Sequence, residues 1–122
     1  MVPDRFAEFL NQNGVLVGVV ICLLTGRTEI VGDRNALESD DILSQYFRDV
    51  SVLVKSLEGR ILPRAVQQGN VMCIISRPNP ATVIALLYND EGDAIARYRR
   101  CVDLDARLLL LWSNPSHREM GR

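Results

Sequence analysis

Three cysteines, a single histidine and a cluster of arginines are the side chains of this sequence with the most chemistry to offer. A thiol nucleophile or a metal centre needs a second group beside it, either a base or another ligand at short spacing. Cys22, Cys73 and Cys101 form no Cys-x-x-Cys pair, and His117 sits in a polar terminal stretch away from any fixed carboxylate or thiol. Cys22 and Cys73 lie inside apolar, strand-like runs, where a thiol behaves as a small hydrophobe and is expected in the core. Cys101 falls on a helical pattern, partly exposed, with nothing near it to complete a Cys/His arrangement.

Arg97, Arg99 and Arg100 could hold a phosphate or an acidic surface, but Asp90, Glu91, Asp93 and Asp103 surround them, the pattern of a solvated helical face. The carboxylate pairs Asp40-Asp41 and Asp90-Glu91 have local roles at a helix start and in a loop. No Gly-x-Gly or Gly-Lys-Ser/Thr loop is present, which excludes a nucleotide-hydrolysing enzyme of the P-loop type. The residues therefore designate no catalytic group, no cofactor site and no metal site, and the expectation is a protein that is not an enzyme.

The elements that carry these residues follow from hydrophobic spacing. Pro3 suits a first helical turn, and Phe6, Phe9 and Leu10 follow at helical spacing until Asn13-Gly14. Val15 to Leu24 is apolar throughout, the pattern of a strand covered on both faces, and Thr28 to Val31 alternates as a half-exposed return strand. Ser39 can cap a second helix spanning about Asp40 to Glu58. Its stripe of Leu43, Tyr46, Phe47, Val50, Leu53, Val54 and Leu57 recurs at three- and four-residue steps, and Gly59 ends it. Ile42 and Val52 lie off that stripe and widen the apolar surface, as a second packing partner would require.

Residues 61–68, 71–77 and 81–88 are apolar runs separated only by Gly69-Asn70 and Pro78-Asn79-Pro80, so they form an antiparallel meander. A third helix covers Ala94 to Trp112, with an Asp103 to Arg107 pair at i,i+4 spacing. Its end, Leu108 to Trp112, is apolar all round, as for a helix terminus buried from more than one side or for a short final strand.

With 122 residues, 48% apolar and 24% charged, the chain suits one domain over 1–112 with a flexible tail over 113–122. A net charge of −1 gives no basic surface for nucleic acid, and the apolar run 15–24 is too short to span a membrane. The unpaired cysteines point to a reduced, cytoplasmic setting.

Pro63 cannot donate a ladder hydrogen bond, so the strand 61–68 belongs at a sheet edge, with Pro63 at its start or facing outward. Only Arg64 guards that edge with charge, and the least costly cover is the same strand of a second copy. The second helix would then pack beside its own mate. The expected interface comprises Leu43, Phe47, Val50, Val54, Ile61, Leu62, Arg64, Val66 and Gln68.

The resulting fold class is α+β, a five-stranded antiparallel sheet with helices on both faces in the order α-β-β-α-β-β-β-α. That order is profilin-like. The passages Leu57-Glu58-Gly59-Arg60, Val66-Gln67-Gln68-Gly69-Asn70, Val71-Met72-Cys73-Ile74-Ile75 and Ala81 to Tyr88 resemble the Roadblock family of dynein light-chain and gliding-motility type proteins. The resemblance covers about residues 3 to 112 and rests on hydrophobic and turn patterns. The turn Leu24-Thr25-Gly26-Arg27 departs from the family's acidic-glycine turn. What the resemblance implies is a non-enzymatic homodimer, paired through the second helix and third strand, that serves as an adaptor or as a regulator of a small Ras-like GTPase, or as a motor or signalling scaffold. The alternative reading is a small-molecule sensor of the PAS or GAF type, which would need a roomy cavity with convergent polar groups.

Overall fold

Uninterrupted apolar runs build the centre of the molecule, and alternating ones build its rims. The computed structural model describes residues 2–39, 41–59, 62–90 and 92–113, without the side chains of Tyr46 and Val50. The elements are α1 (Phe6–Gln12), β1 (Val17–Cys22), β2 (Thr28–Gly32), a 3-10 turn (Arg34–Ala36), α2 (Asp41–Tyr46), α3 (Val50–Leu57), β3 (Arg64–Gln68), β4 (Val71–Asn79), β5 (Thr82–Asn89) and α4 (Ala94–Ser113). The strands form one antiparallel sheet in the order β2-β1-β5-β4-β3.

Because successive strand residues face opposite ways, the sheet serves two cores. On one face Val19, Ile21, Cys73, Ile75, Ala85 and Leu87 meet Ile42 and Leu43 of α2 and Leu53 and Leu57 of α3. On the other Val20, Met72, Ile74, Ile84, Leu86 and Tyr88 meet Phe6, Phe9 and Leu10 of α1 and Cys101, Leu104 and Leu108 of α4. Gly18 belongs to this second face by necessity. A Cβ there would lie 2.5 Å from Cζ of Phe6, so only glycine admits the ring that α1 lays on β1.

The helix expected over Asp40 to Glu58 is two helices. Its apolar stripe is continuous, but Asp49 is extended, and its carboxylate accepts a hydrogen bond from the Ser51 amide at 3.0 Å and caps a new start. Ile42, expected off the stripe, is buried, whereas Val52, also expected off it, is 64% exposed. Ser39 caps as expected, its hydroxyl accepting the Asp41 amide at 3.2 Å.

The strand expected over 61–68 begins at Arg64, after the cis Leu62-Pro63 bond, so Pro63 precedes the ladder. Ile61 lies outside the described residues. β4 continues through Pro78 to Asn79 by shifting its register against β5 between Ser76 and Asn79, and Pro78 thus sits in an irregularity that tolerates its missing donor.

α4 is capped by Asp93, whose carboxylate accepts the Ala96 amide at 2.8 Å, and Asp103 pairs with Arg107 at 2.9 Å as expected. Its end is buried on one side only. Leu108 is buried and Trp112 packs edge-on to Phe6 at 5.3 Å, while Leu110 is 62% exposed. The helix includes Ser113, assigned by the sequence to the tail, and residues 114–122, with His117, lie outside the described residues.

Candidate functional site

The expected thiol and arginine positions converge on no chemistry. Cys73 is wholly buried and burial pushes its thiol far up. Cys101, expected partly exposed, points into the α4 core and is also raised by burial. Cys22 reverses the opposite expectation. It closes β1 half-exposed, and the Thr25 hydroxyl, then the Thr25 and Leu24 amides, hold its thiol below the ordinary range. Among the described residues no group of histidine, cysteine and carboxylate side chains is placed to hold a metal.

Arg100 is not part of a solvated face. Its guanidinium lies 4.0 Å from the ring centroid of Tyr88, Nη2 donates to the Asn13 carbonyl at 3.1 Å, and Nη1 stands 3.7 Å from Asp90. It ties α4 to the α1-β1 turn across the end of the sheet. Burial pushes the Tyr88 phenol up to about 12, and its hydroxyl has no hydrogen-bond partner. Arg97 donates to the Asp90 carbonyl at 3.1 Å through Nη2, while its buried Nε has no partner.

What stands open is the sheet's β3 edge. β3 pairs with β4 alone, and among the described residues no strand lies on its other side. Among the described residues that side of β3 has no strand partner, the condition under which a strand recruits another. Arg64 and Gln68 bend toward the helices on their own face. Arg64 Nη1 donates to the Ser56 carbonyl at 3.3 Å, and Gln68 Nε2 to Asp41 Oδ2 at 3.3 Å. Between them Val66, with Leu62 and Phe47, is half-buried against the core of that face.

The sequence-predicted interface residues therefore divide. Leu62, Arg64, Val66 and Gln68 are brought together with the α2–α3 layer along one edge, and Phe47 and Val54 are half-buried. Leu43 is buried against the sheet and serves the chain's own core. Of Val50 the structure describes only the backbone that starts α3, and Ile61 falls outside the described residues. Val52, placed by the sequence off the stripe as a widening of the apolar surface, is the most exposed large apolar side chain among those described in this layer.

A second exposed apolar row runs along α4, where Ile95, Tyr98, Val102 and Leu109 repeat at three-, four- and seven-residue steps. Among the described residues no helix is long and apolar enough to cross a membrane.

Known structures share this arrangement. The chain superposes on Myxococcus xanthus MglB with a TM-score of 0.52 at 10% identity, covering 87% of this chain and 89% of that one. A Roadblock/LC7 domain from Streptomyces avermitilis gives 0.47 at 14% identity, over 83% and 91%. No family model matches the chain, and no curated protein matches it in sequence. The chain has the Roadblock-type fold that its resemblance in sequence implied.

Proposed function

We propose that this protein is a non-enzymatic adaptor that pairs with a second copy through β3 and the α2–α3 layer, and that the dimer binds a small Ras-like GTPase. The observation that carries the reading is the unpaired outer edge of β3 beside exposed Val52. Two such edges joined antiparallel about a two-fold axis would make one ten-stranded sheet, which removes both edges at once. The α2–α3 layers of the two copies would then meet, and Phe47, Val52, Val54 and Val66 would be covered in the same step. The GTPase arm rests on the resemblance to the Roadblock family, and the Roadblock-type fold supports it.

Size-exclusion chromatography with light scattering tests the pairing. The wild type runs as a dimer, and Val52→Glu as a folded monomer, since its position is exposed in the single chain. A monomeric wild type at high micromolar concentration refutes the pairing. Loading onto immobilised Ras-like GTPases in the GDP and GTP-analogue states tests the second arm, and binding of none of them removes it.

A further inference from the structure

α4 packs on β4, and on that face of the sheet Ala65 and Gln67 of β3 are exposed. A hollow of about 480 Å³ results between β3 and the first half of α4. Pro63, Ala65 and Met72 line it together with the exposed Tyr98 and Val102. Ala65 is too short to fill the gap that a larger strand residue would close. Among the described lining residues Arg97 alone is charged.

Arg97 is under-satisfied. Of its donors, Nη2 reaches the Asp90 carbonyl, Nε is buried without a partner, and no described carboxylate pairs with it, since Asp90 faces Arg100 and Asp93 caps α4. A partly desolvated guanidinium beside an apolar hollow favours an occupant that brings its own anion. The volume lies within the range of small-molecule sites and is too small for a folded partner.

We propose that this hollow binds a small amphipathic carboxylate, its apolar body between Ala65, Met72 and Val102 and its carboxylate against Arg97. The hollow opens on the α4 face and shares Leu62 with the proposed pairing, which uses the outer edge of β3 and the opposite face, so the site does not rest on dimer formation.

Titration of the full chain with octanoate, and with 1-octanol as its neutral counterpart, followed by methyl NMR, tests the assignment. Octanoate is expected to shift the Ala65, Met72 and Val102 methyls saturably and to bind about tenfold more tightly than 1-octanol, as one charge-assisted contact would give. Arg97→Gln should reduce octanoate to the level of 1-octanol and leave 1-octanol unchanged. Val102→Trp, at a surface position 46% exposed, should fill the hollow and abolish both. Its folding does not depend on Arg97, so it decides the matter if the arginine variant fails to fold. No saturable shift, equal binding of the two probes, or octanoate binding that survives Val102→Trp overturns the proposal.

Discussion

Replacing Arg100 measures how much of the fold is held by a side chain that the sequence made look like surface charge. Arg100→Met keeps the aliphatic stem and removes the guanidinium. It takes away the hydrogen bond to the Asn13 carbonyl, a weaker one to the Gly14 carbonyl at 3.4 Å, and the stacking on Tyr88. A hydrogen bond from a charged donor contributes about 1.5 kcal/mol at the lower end of its range, because the arginine is partly exposed, and the stacked cation adds about 1 kcal/mol. The ion pair with Asp90 adds little, since the Arg100 side chain is 34% exposed. The sum is about 2.5 kcal/mol, or roughly 10 °C in Tm for a domain of this size. Arg100→Lys should recover less than half of the loss, because a point charge cannot reach the carbonyl and cover the ring together. Urea denaturation with far-UV circular dichroism reads both variants. A lysine variant as stable as the wild type would refute the account, because charge alone would then suffice.

Other consequences can be measured alongside. Tyr88→Phe removes a buried hydroxyl with no partner and should raise stability by up to about 1 kcal/mol in the same urea assay. Gly18→Ala should lower it by about 1–2 kcal/mol, since the new methyl meets a Phe6 ring pinned by Trp112, and Phe6→Leu should recover part of the loss in a double-mutant cycle. Thiol labelling near pH 7.5 should modify Cys22 first and leave Cys73 unmodified, and Thr25→Ala should slow Cys22 by removing the hydroxyl that most favours its thiolate. Asp49 is held below the ordinary aspartate range, chiefly by the Ser51 hydroxyl. A depressed carboxyl stabilises the fold above its unfolded value and loses that contribution as pH falls through the folded one. Helicity of the α3 segment should therefore drop only in acid below about pH 4, and Asp49→Ala should remove that dependence.

The sheet was legible because its evidence is local: strand pairs joined by short turns, continuous apolar runs at the centre, and Pro63 marking an edge. The second helix misled for the opposite reason. Its apolar stripe runs unbroken from Leu43 to Leu57, and no glycine or proline marks the break, which depends on one carboxylate turning back to an amide. Ile42 faces the sheet although it lies off that stripe, whereas Val52 faces outward as its place off the stripe implied. Cys73 is buried as expected, but Cys22 and Cys101 were misplaced. Cys22 stands where a strand gives way to a turn, and the rotation of α4 that buries Cys101 is fixed by Leu104 and Leu108, not by the apolar residues around them. That Leu62, Arg64, Val66 and Gln68 share one side of the β3 segment was legible because alternation in a short strand leaves few choices.

The division of the second helix also bears on hydrogen exchange. Segments of six and eight residues are too short to persist in water without the sheet beneath them, so their amides should open in small excursions that leave β4 and β5 protected. Any second copy that covers this layer would suppress those excursions by mass action. Protection of the α2 and α3 amides would then rise with protein concentration while that of the central strands stays constant.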